Sequence, residues 1–357
     1  KDALLSAMNS YFLSLFDEVC GRAYRSDGNG RFEDAFNAYN EVFIRFFVDN
    51  PEYFAYAMVM YIPRARLGEG GSDHIEQKYD ELFPETLIHG ELGWNGESIE
   101  TVRNYIVTVG GFLLSHMSMC CSMSSKLGAE EILALNRNIV LDGFGNRTRF
   151  EKPDYEKVER VCSIGREDLL APDHIFSAIA EVVGEFGLWN ASLDKIAKRA
   201  GMTKSSLYFY FENRNDMLWK MIDRERHHVG ALYLQRSDSL ARAEERLYAY
   251  FRVFGGYMNL RPDFLAVMNW FRVQRINFSP PNHARVGMER YIEFLRACVS
   301  EEKIDDHGMD VMELIRFLHF MIINEINKGY WSGLSEEEMR IRFRVLFELF
   351  VYGAEGE

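Results

Sequence analysis

Apolar residues recur at helical spacing along almost the whole chain. Ile175, Phe176, Ile179, Ala180, Val183 and Phe186 form one such stripe, the i, i+3, i+4 rhythm of a helix that buries one face. Between 43 and 58, Arg45, Asp49 and Glu52 interrupt a dense apolar set: Phe43, Phe46, Phe47, Tyr53, Phe54, Tyr56 and Met58. Nothing resembles alternating strands joined by hairpin turns. The pattern predicts an all-α protein.

One stretch is long enough to cross a bilayer. Between Arg103 and Lys126 there is no Asp, Glu, Lys or Arg. Yet it carries Asn104, Gly110, Gly111, Ser115, His116 and several further serines. A buried helix fits this better than a membrane span, with glycines permitting close approach of a neighbouring helix.

The chain also resembles itself. Lys1-Asp2-Ala3-Leu4-Leu5-Ser6-Ala7-Met8 aligns with Arg214-Asn215-Asp216-Met217-Leu218-Trp219-Lys220-Met221. Asn50-Pro51-Glu52-Tyr53-Phe54-Ala55 aligns with Arg261-Pro262-Asp263-Phe264-Leu265-Ala266. Ser125-Lys126-Leu127-Gly128-Ala129-Glu130-Glu131-Ile132 aligns with Ser332-Gly333-Leu334-Ser335-Glu336-Glu337-Glu338-Met339. The three matches keep their order, which points to two copies of one helical domain, 1–146 and 219–357. In each, Pro51 or Pro262 opens a helix and an acid follows it, which suits a helix N-terminus. The stretch matching 103–126 is about 310–331, and it holds Glu313, Arg316, Glu325 and Lys328. A charged helix in the second copy argues against a membrane span in the first. Residues 147–170 are charged and contain Pro153, as expected of a linker with a short helix near 154–161.

Residues 171–218 occur once. Pro172-Asp173 opens a helix and Gly187 ends it. Ser192 caps a second helix, whose narrow buried face is Ile196, Ala197 and Ala200. Gly201 makes a tight turn and Thr203 caps a third helix, 204–211. Two short helices across a Gly turn define helix-turn-helix geometry. The first turn of the third helix offers hydroxyls and a lysine, side chains suited to phosphate and base edges.

Charge sharpens this. The chain carries a net −13, so a DNA contact requires a local basic patch. From 195 to 214, Lys195, Lys198, Arg199, Lys204 and Arg214 face Glu212 alone. Hydrophobic residues make up 47% of the sequence, enough for sizeable cores. The five cysteines form no CxxC pair, which predicts buried thiols in a reducing, cytoplasmic setting.

The stretch from Leu193 to Arg214, with Ile196-Ala197, Ala200-Gly201, a short polar turn, Leu207-Tyr208, Phe211 and the basic Arg214, closely resembles the DNA-binding signature of the TetR family. Ser205 departs from it, since many relatives carry Gly there. The resemblance implies a ligand-responsive transcriptional regulator, more commonly a repressor, whose partner is a double-stranded DNA operator. It implies that Thr203, Lys204, Ser205 and Ser206 enter the major groove, that Tyr208 contacts phosphate with Tyr210 nearby, and that Arg214 grips phosphate. Lys195 belongs to the same basic patch. Ile196, Ala197, Leu207 and Phe211 would be core.

Relatives have one such domain followed by one all-helical regulatory domain, and they dimerise through its last two long helices. The two copies here are expected to pack as a pseudo-dimer within one chain, with a further homodimer possible. A first helix-turn-helix is expected ahead of Lys1. A small, largely apolar effector would bind among the helices. Candidate lining residues are Met268, Trp270, Phe271, His319, Met321 and Asn324 in the second copy, and Met58, Tyr61, His116, Met117 and Cys120 in the first. Met and aromatic side chains suit an adaptable pocket, and they suit a core equally.

No cofactor and no enzymatic activity are expected. There is no Gly-rich phosphate loop ending in Lys-Ser/Thr, no G-x-S-x-G and no H-E-x-x-H. His227 and His228 are adjacent, so they cannot share a metal as an i, i+4 pair would. The competing expectation is a helical interaction protein that no longer binds DNA on its own.

Overall fold

The computed structural model describes residues 2–26, 31–54, 57, 71–119, 127–146, 148–171, 173–187, 190–210, 214–273 and 289–354. Among these residues the fold is all-α, and the one extended pairing is an isolated antiparallel bridge between Gly145 and Ile304. The chain forms two compact units. The first comprises Lys1–Thr148, Ile304–Glu325 and Arg344–Glu357; the second comprises Arg149–Lys303 and Ile326–Phe343.

The first unit opens with α1 (Asp2–Ser26) and α2 (Phe32–Tyr39). A π-helical turn, Asn40–Ile44, carries α2 into α3 (Arg45–Asp49). Asn40 explains why the wider turn is useful. Its buried amide donates to the carbonyl of Leu133 at 2.9 Å and accepts from Asn136 at 2.8 Å. Helices α4 (Gly71–Leu82) and α5 (Glu85–Leu92) close over an aromatic core. There Tyr39 stacks on Phe43 at 4.9 Å and meets Phe83 edge-on at 5.4 Å.

Residues 104–119 of the uncharged stretch after Arg103 lie on α6 (Glu97–Met119), and the rest of it lies outside the described residues. Gly110 has its use there: a Cβ would sit 3.0 Å from Ile44 Cδ1, so the glycine permits close packing. Gly111 faces open space and has no such role. Among the described residues, no helix is long and apolar enough to cross a membrane. Helix α7 (Ala129–Asp142) starts with Glu130 and Glu131 in its first turn, and Glu131 accepts the Gly128 amide at 2.7 Å.

Two later helices add segments to this unit. From α16 (Val311–Trp331), Glu325 is fully buried and accepts from Thr101 at 3.1 Å and Asn104 at 2.5 Å. Phe317 meets Phe112 edge-on at 5.1 Å. From α17 (Glu336–Tyr352), Phe350 stacks on Phe144 at 4.6 Å. The ends of α7 and α17 then exchange backbone hydrogen bonds. Phe144 N–H donates to Phe350 O, and Ala354 N–H donates back to Val140 O, each at 2.7 Å. Gly143 and Gly353 both take positive φ, +70° and +73°. A Cβ on Gly353 would lie 2.0 Å from Leu141 O, so the close approach requires glycine.

The second unit contains α8 (Tyr155–Val161), α9 (His174–Phe186), α10 (Leu193–Arg199), α11 (Lys204–Tyr210), α12 (Arg214–Ser237), α13 (Ala243–Asn259), α14 (Pro262–Val273) and α15 (Glu289–Ser300). The connecting segment 148–170 is folded onto this unit. Phe150, Tyr155, Val158 and Cys162 are buried, and Tyr155 packs edge-on against Tyr248 at 5.0 Å. Lys157 pairs with Glu245 at 3.0 Å. Tyr250 and Tyr291 stack at 3.9 Å in the core between α13 and α15. Burial pushes the thiol of Cys162 up to about 11, and those of Cys20 and Cys298 up to about 12.

Candidate nucleic-acid interface

Local hydrogen bonds build the three-helix segment. Asp173 accepts the Ile175 amide at 2.8 Å and opens α9. Gly187, with φ +75°, ends it. Ser192 accepts the Lys195 amide at 3.4 Å and opens α10. In the turn that follows, Gly201 adopts φ +67° and the Met202 amide returns to Ala197 O at 2.8 Å. Thr203 then accepts the Ser206 amide at 3.0 Å and shares a 2.7 Å hydroxyl contact with Ser206. Ile196, Ala197 and Leu207 are buried, which fixes α11 against α10.

The buried face of α9 differs from its expected stripe. Ala178 and Val182 are buried along with Ile175, Phe176, Ile179 and Val183, while Ala180 is half-buried. Phe186, in the last turn, is 36% exposed and lies 3.8 Å beneath the ammonium of Lys195. Phe176 anchors α9 to α14 through an edge-on contact with Phe264 at 5.8 Å.

This scaffold leaves Thr203, Lys204 and Ser205 exposed at the start of α11, with Ser206 half-buried. Tyr208 and Tyr210 lie further along α11, and Arg214 opens α12. Phe211, expected as core, lies outside the described residues.

The cations are not equally available. Lys195 donates to Asn190 O at 3.0 Å while covering the Phe186 ring. Arg199 turns back onto α9, donating to Glu181 at 2.9 Å and to Glu185. Lys204 pairs with Asp194 at 3.0 Å. Lys198 is exposed and has no ion-pair partner among the described residues. Arg199 and Lys204 are exposed as well, so what distinguishes Lys198 is that no acid among the described residues pairs with it. Over 171–218, six acids face five bases, so the patch arises from placement rather than from net charge.

Helix α12 connects this head to the rest of its unit. Arg224 donates to Ala171 O at 3.0 Å and pairs with Asp173 at 3.3 Å, both at the entrance to α9. His228 donates through Nε2 to Asp168 O at 2.6 Å, and Arg236 pairs with Asp168 at 2.8 Å. The buried Glu225 carboxylate accepts from Tyr257 on α13 and, at 2.8 Å, from Arg261 just ahead of α14. Burial, and then the adjacent Glu225 carboxylate, push the Tyr257 hydroxyl well above its ordinary value, so it remains a donor.

The expected effector residues are spread over both units. Met268 is half-buried on α14, which also carries Trp270 and Phe271. On α16, Met321 is buried, His319 is half-buried, and Asn324 donates to Thr108 on α6 at 3.4 Å. His116 and Met117 lie on α6. Met58, Tyr61 and Cys120 lie outside the described residues. Among the described residues, no three His, Cys, Asp or Glu side chains are grouped as metal ligands.

Two capped helices across a glycine turn, with an exposed polar first turn, have helix-turn-helix geometry. Residues 175–220 match the family model for the bacterial regulatory proteins of the tetR family. No curated protein matches the chain. Among solved structures, the chain is similar to the fatty acid degradation regulator FadR from Bacillus halodurans. That match has a TM-score of 0.39 and 15% identity, covering 55% of this chain and 100% of that one.

Proposed function

We propose that the protein is a ligand-responsive transcriptional regulator, acting as a repressor, whose two helical copies form a pseudo-dimer within one chain. The helix-turn-helix carries the DNA-binding part: its polar first turn is exposed, its helices are capped, and the domain matches a family of regulators. In this reading Thr203, Lys204, Ser205 and Ser206 approach base edges, while Lys195, Lys198, Tyr208, Tyr210 and Arg214 serve the phosphates.

The pseudo-dimer is supported by the reciprocal bonds at the ends of α7 and α17. Phe144 donating to Phe350 and Ala354 donating to Val140 are what a local two-fold relation between two equivalent helix ends would produce. The paired positive-φ glycines, Gly143 and Gly353, fit the same relation.

An effector, small and largely apolar, would act by binding one setting of α12 more tightly than another. The side chains proposed to receive it are Met268, Trp270 and Phe271 in the second unit, or His319, Met321 and Asn324, with Met58, Tyr61, His116 and Met117, in the first. The protein does no catalysis in this scheme and acts in the cytoplasm.

Selection of bound duplexes from a random pool tests the proposal. Enrichment of one motif, lost when Ser205 and Ser206 are both replaced by Ala, is the expected outcome. A chain that enriches nothing supports the interaction protein instead.

A further inference from the structure

The exposed head of α11 contains an acid that works against DNA binding. Lys204, the one cation in the polar first turn, has its ammonium 3.0 Å from Asp194 on α10. Both side chains are largely solvated, at 49% and 68% exposure, so the pair is weak and can open. Neither takes part in the capping bonds of Ser192 or Thr203, and neither is in the buried face of α10 or α11. A polar replacement keeps the helix, since Asp194 favours the α10 N-terminus only as a first-turn charge and makes no capping bond. It is nevertheless the acid placed directly at the cation that would meet DNA. The neighbouring cations are occupied in other ways, Lys195 by Asn190 and Phe186, Arg199 by Glu181 and Glu185.

From this arrangement we infer that Asp194 tempers DNA affinity by competing with DNA for the Lys204 ammonium. The inference rests on the proposed DNA-binding role and specifies how that site is regulated. Free protein keeps Lys204 neutralised by Asp194. On binding, a phosphate oxygen or a base-edge acceptor replaces the carboxylate, and Asp194 is left as an unpaired negative charge beside the polyanion. The exchange cancels much of the gain that a free lysine would bring, for operator and random DNA alike. Lys198, which has no such partner among the described residues, contributes its full charge.

The test compares Asp194→Asn with Asp238→Asn by fluorescence anisotropy on random-sequence duplex across a salt series. Asp238 is exposed beyond the far end of α12, whose 24 residues span about 36 Å, several Debye lengths from the head at 0.1 M salt. Asp194→Asn is expected to tighten binding about three- to tenfold and to steepen the log–log salt slope by about 0.9, one more effective phosphate contact. Adding Lys204→Gln to Asp194→Asn is expected to return the slope to that of the parent. Asp194→Ser, which suits a first helical turn, is measured alongside, with circular dichroism to confirm folding. If Asp194→Asn and Asp194→Ser match Asp238→Asn while the parent binds DNA, the inference is overturned and the proposed function stands. If Lys204→Gln has the same effect with and without Asp194, the competition is likewise overturned. If no variant binds DNA, both fall together.

Discussion

The guanidinium of Arg261 lies 2.8 Å from the carboxylate of Glu225, with both side chains almost completely buried. The same guanidinium forks onto Asp263 at 2.8 and 2.9 Å, and the Tyr257 hydroxyl donates to the same Glu225 oxygen as Arg261 does. One buried charge pair thus ties α12, which runs out of the helix-turn-helix head, to α13 and α14. Any rotation of α12 against α14 must strain this cluster.

Removing one partner should therefore be costly. Arg261→Met leaves the buried Glu225 with only the half-solvated Arg224 guanidinium, 3.8 Å away, and is expected to destabilise the unit by about 3 kcal/mol in urea unfolding. Adding Glu225→Gln keeps an acceptor for Tyr257 and removes the stranded charge, so most of the loss should return. Additive losses in the double variant would show that the two residues act separately.

The contact between the ends of α7 and α17 depends on glycine. Gly353→Ala would place a Cβ 2.0 Å from Leu141 O at a φ of +73°. It should cost more than about 1 kcal/mol, because neither the space nor the backbone suits alanine. Hydrogen exchange should show lost protection at Phe144, Gly145 and Ala354. Gly93→Ala, at a φ of +74° but facing open space, provides the control for backbone strain alone. Unchanged exchange at those three amides in Gly353→Ala would refute the close approach.

Much of the reader was legible because its determinants are local. Ser192, Gly201 and Thr203 act on amides within a few residues of themselves, and Gly187 ends its helix by its own φ. Residues that act over distance were not legible. Arg199 finds Glu181 and Glu185 on another helix, and Asp194 reaches Lys204 across the turn. A charge count over 195–214 leaves Asp194 out. Gly143 ends α7 through its own φ, a local property, but its near-contact with Gly353 lies far along the chain. Residues 148–170 look like a tether from their charge, yet Phe150, Tyr155, Val158 and Cys162 dock it.

The reader's cap can be tested without DNA. Thr203→Ala removes the acceptor of the Ser206 amide and should destabilise the start of α11 by about 1 kcal/mol. The Ser206 amide should exchange faster, while the Phe176–Phe264 anchor and the amides of α9 stay unchanged. Faster exchange throughout α9 would mean that the segment does not open in parts.

The buried thiols make a chemical prediction. Burial raises Cys162 from 9.0 to about 11, and Cys20 and Cys298 to about 12. Thiolate is the reactive form, so at pH 8 its fraction at Cys162 falls about a hundredfold, and further at the other two. Iodoacetamide at pH 8 should leave these three unmodified in the folded protein and label them in urea. Labelling of any of the three without denaturant would contradict their burial.

DNA binding itself is tested most directly by titrating the protein onto a selected duplex and onto its scrambled counterpart at several salt concentrations. Saturable binding that favours the selected duplex and weakens steeply with salt is the predicted result, reflecting base-edge contacts added to phosphate contacts. Equal binding to both duplexes, or none to either, would contradict the assignment of 203–206 as a sequence reader.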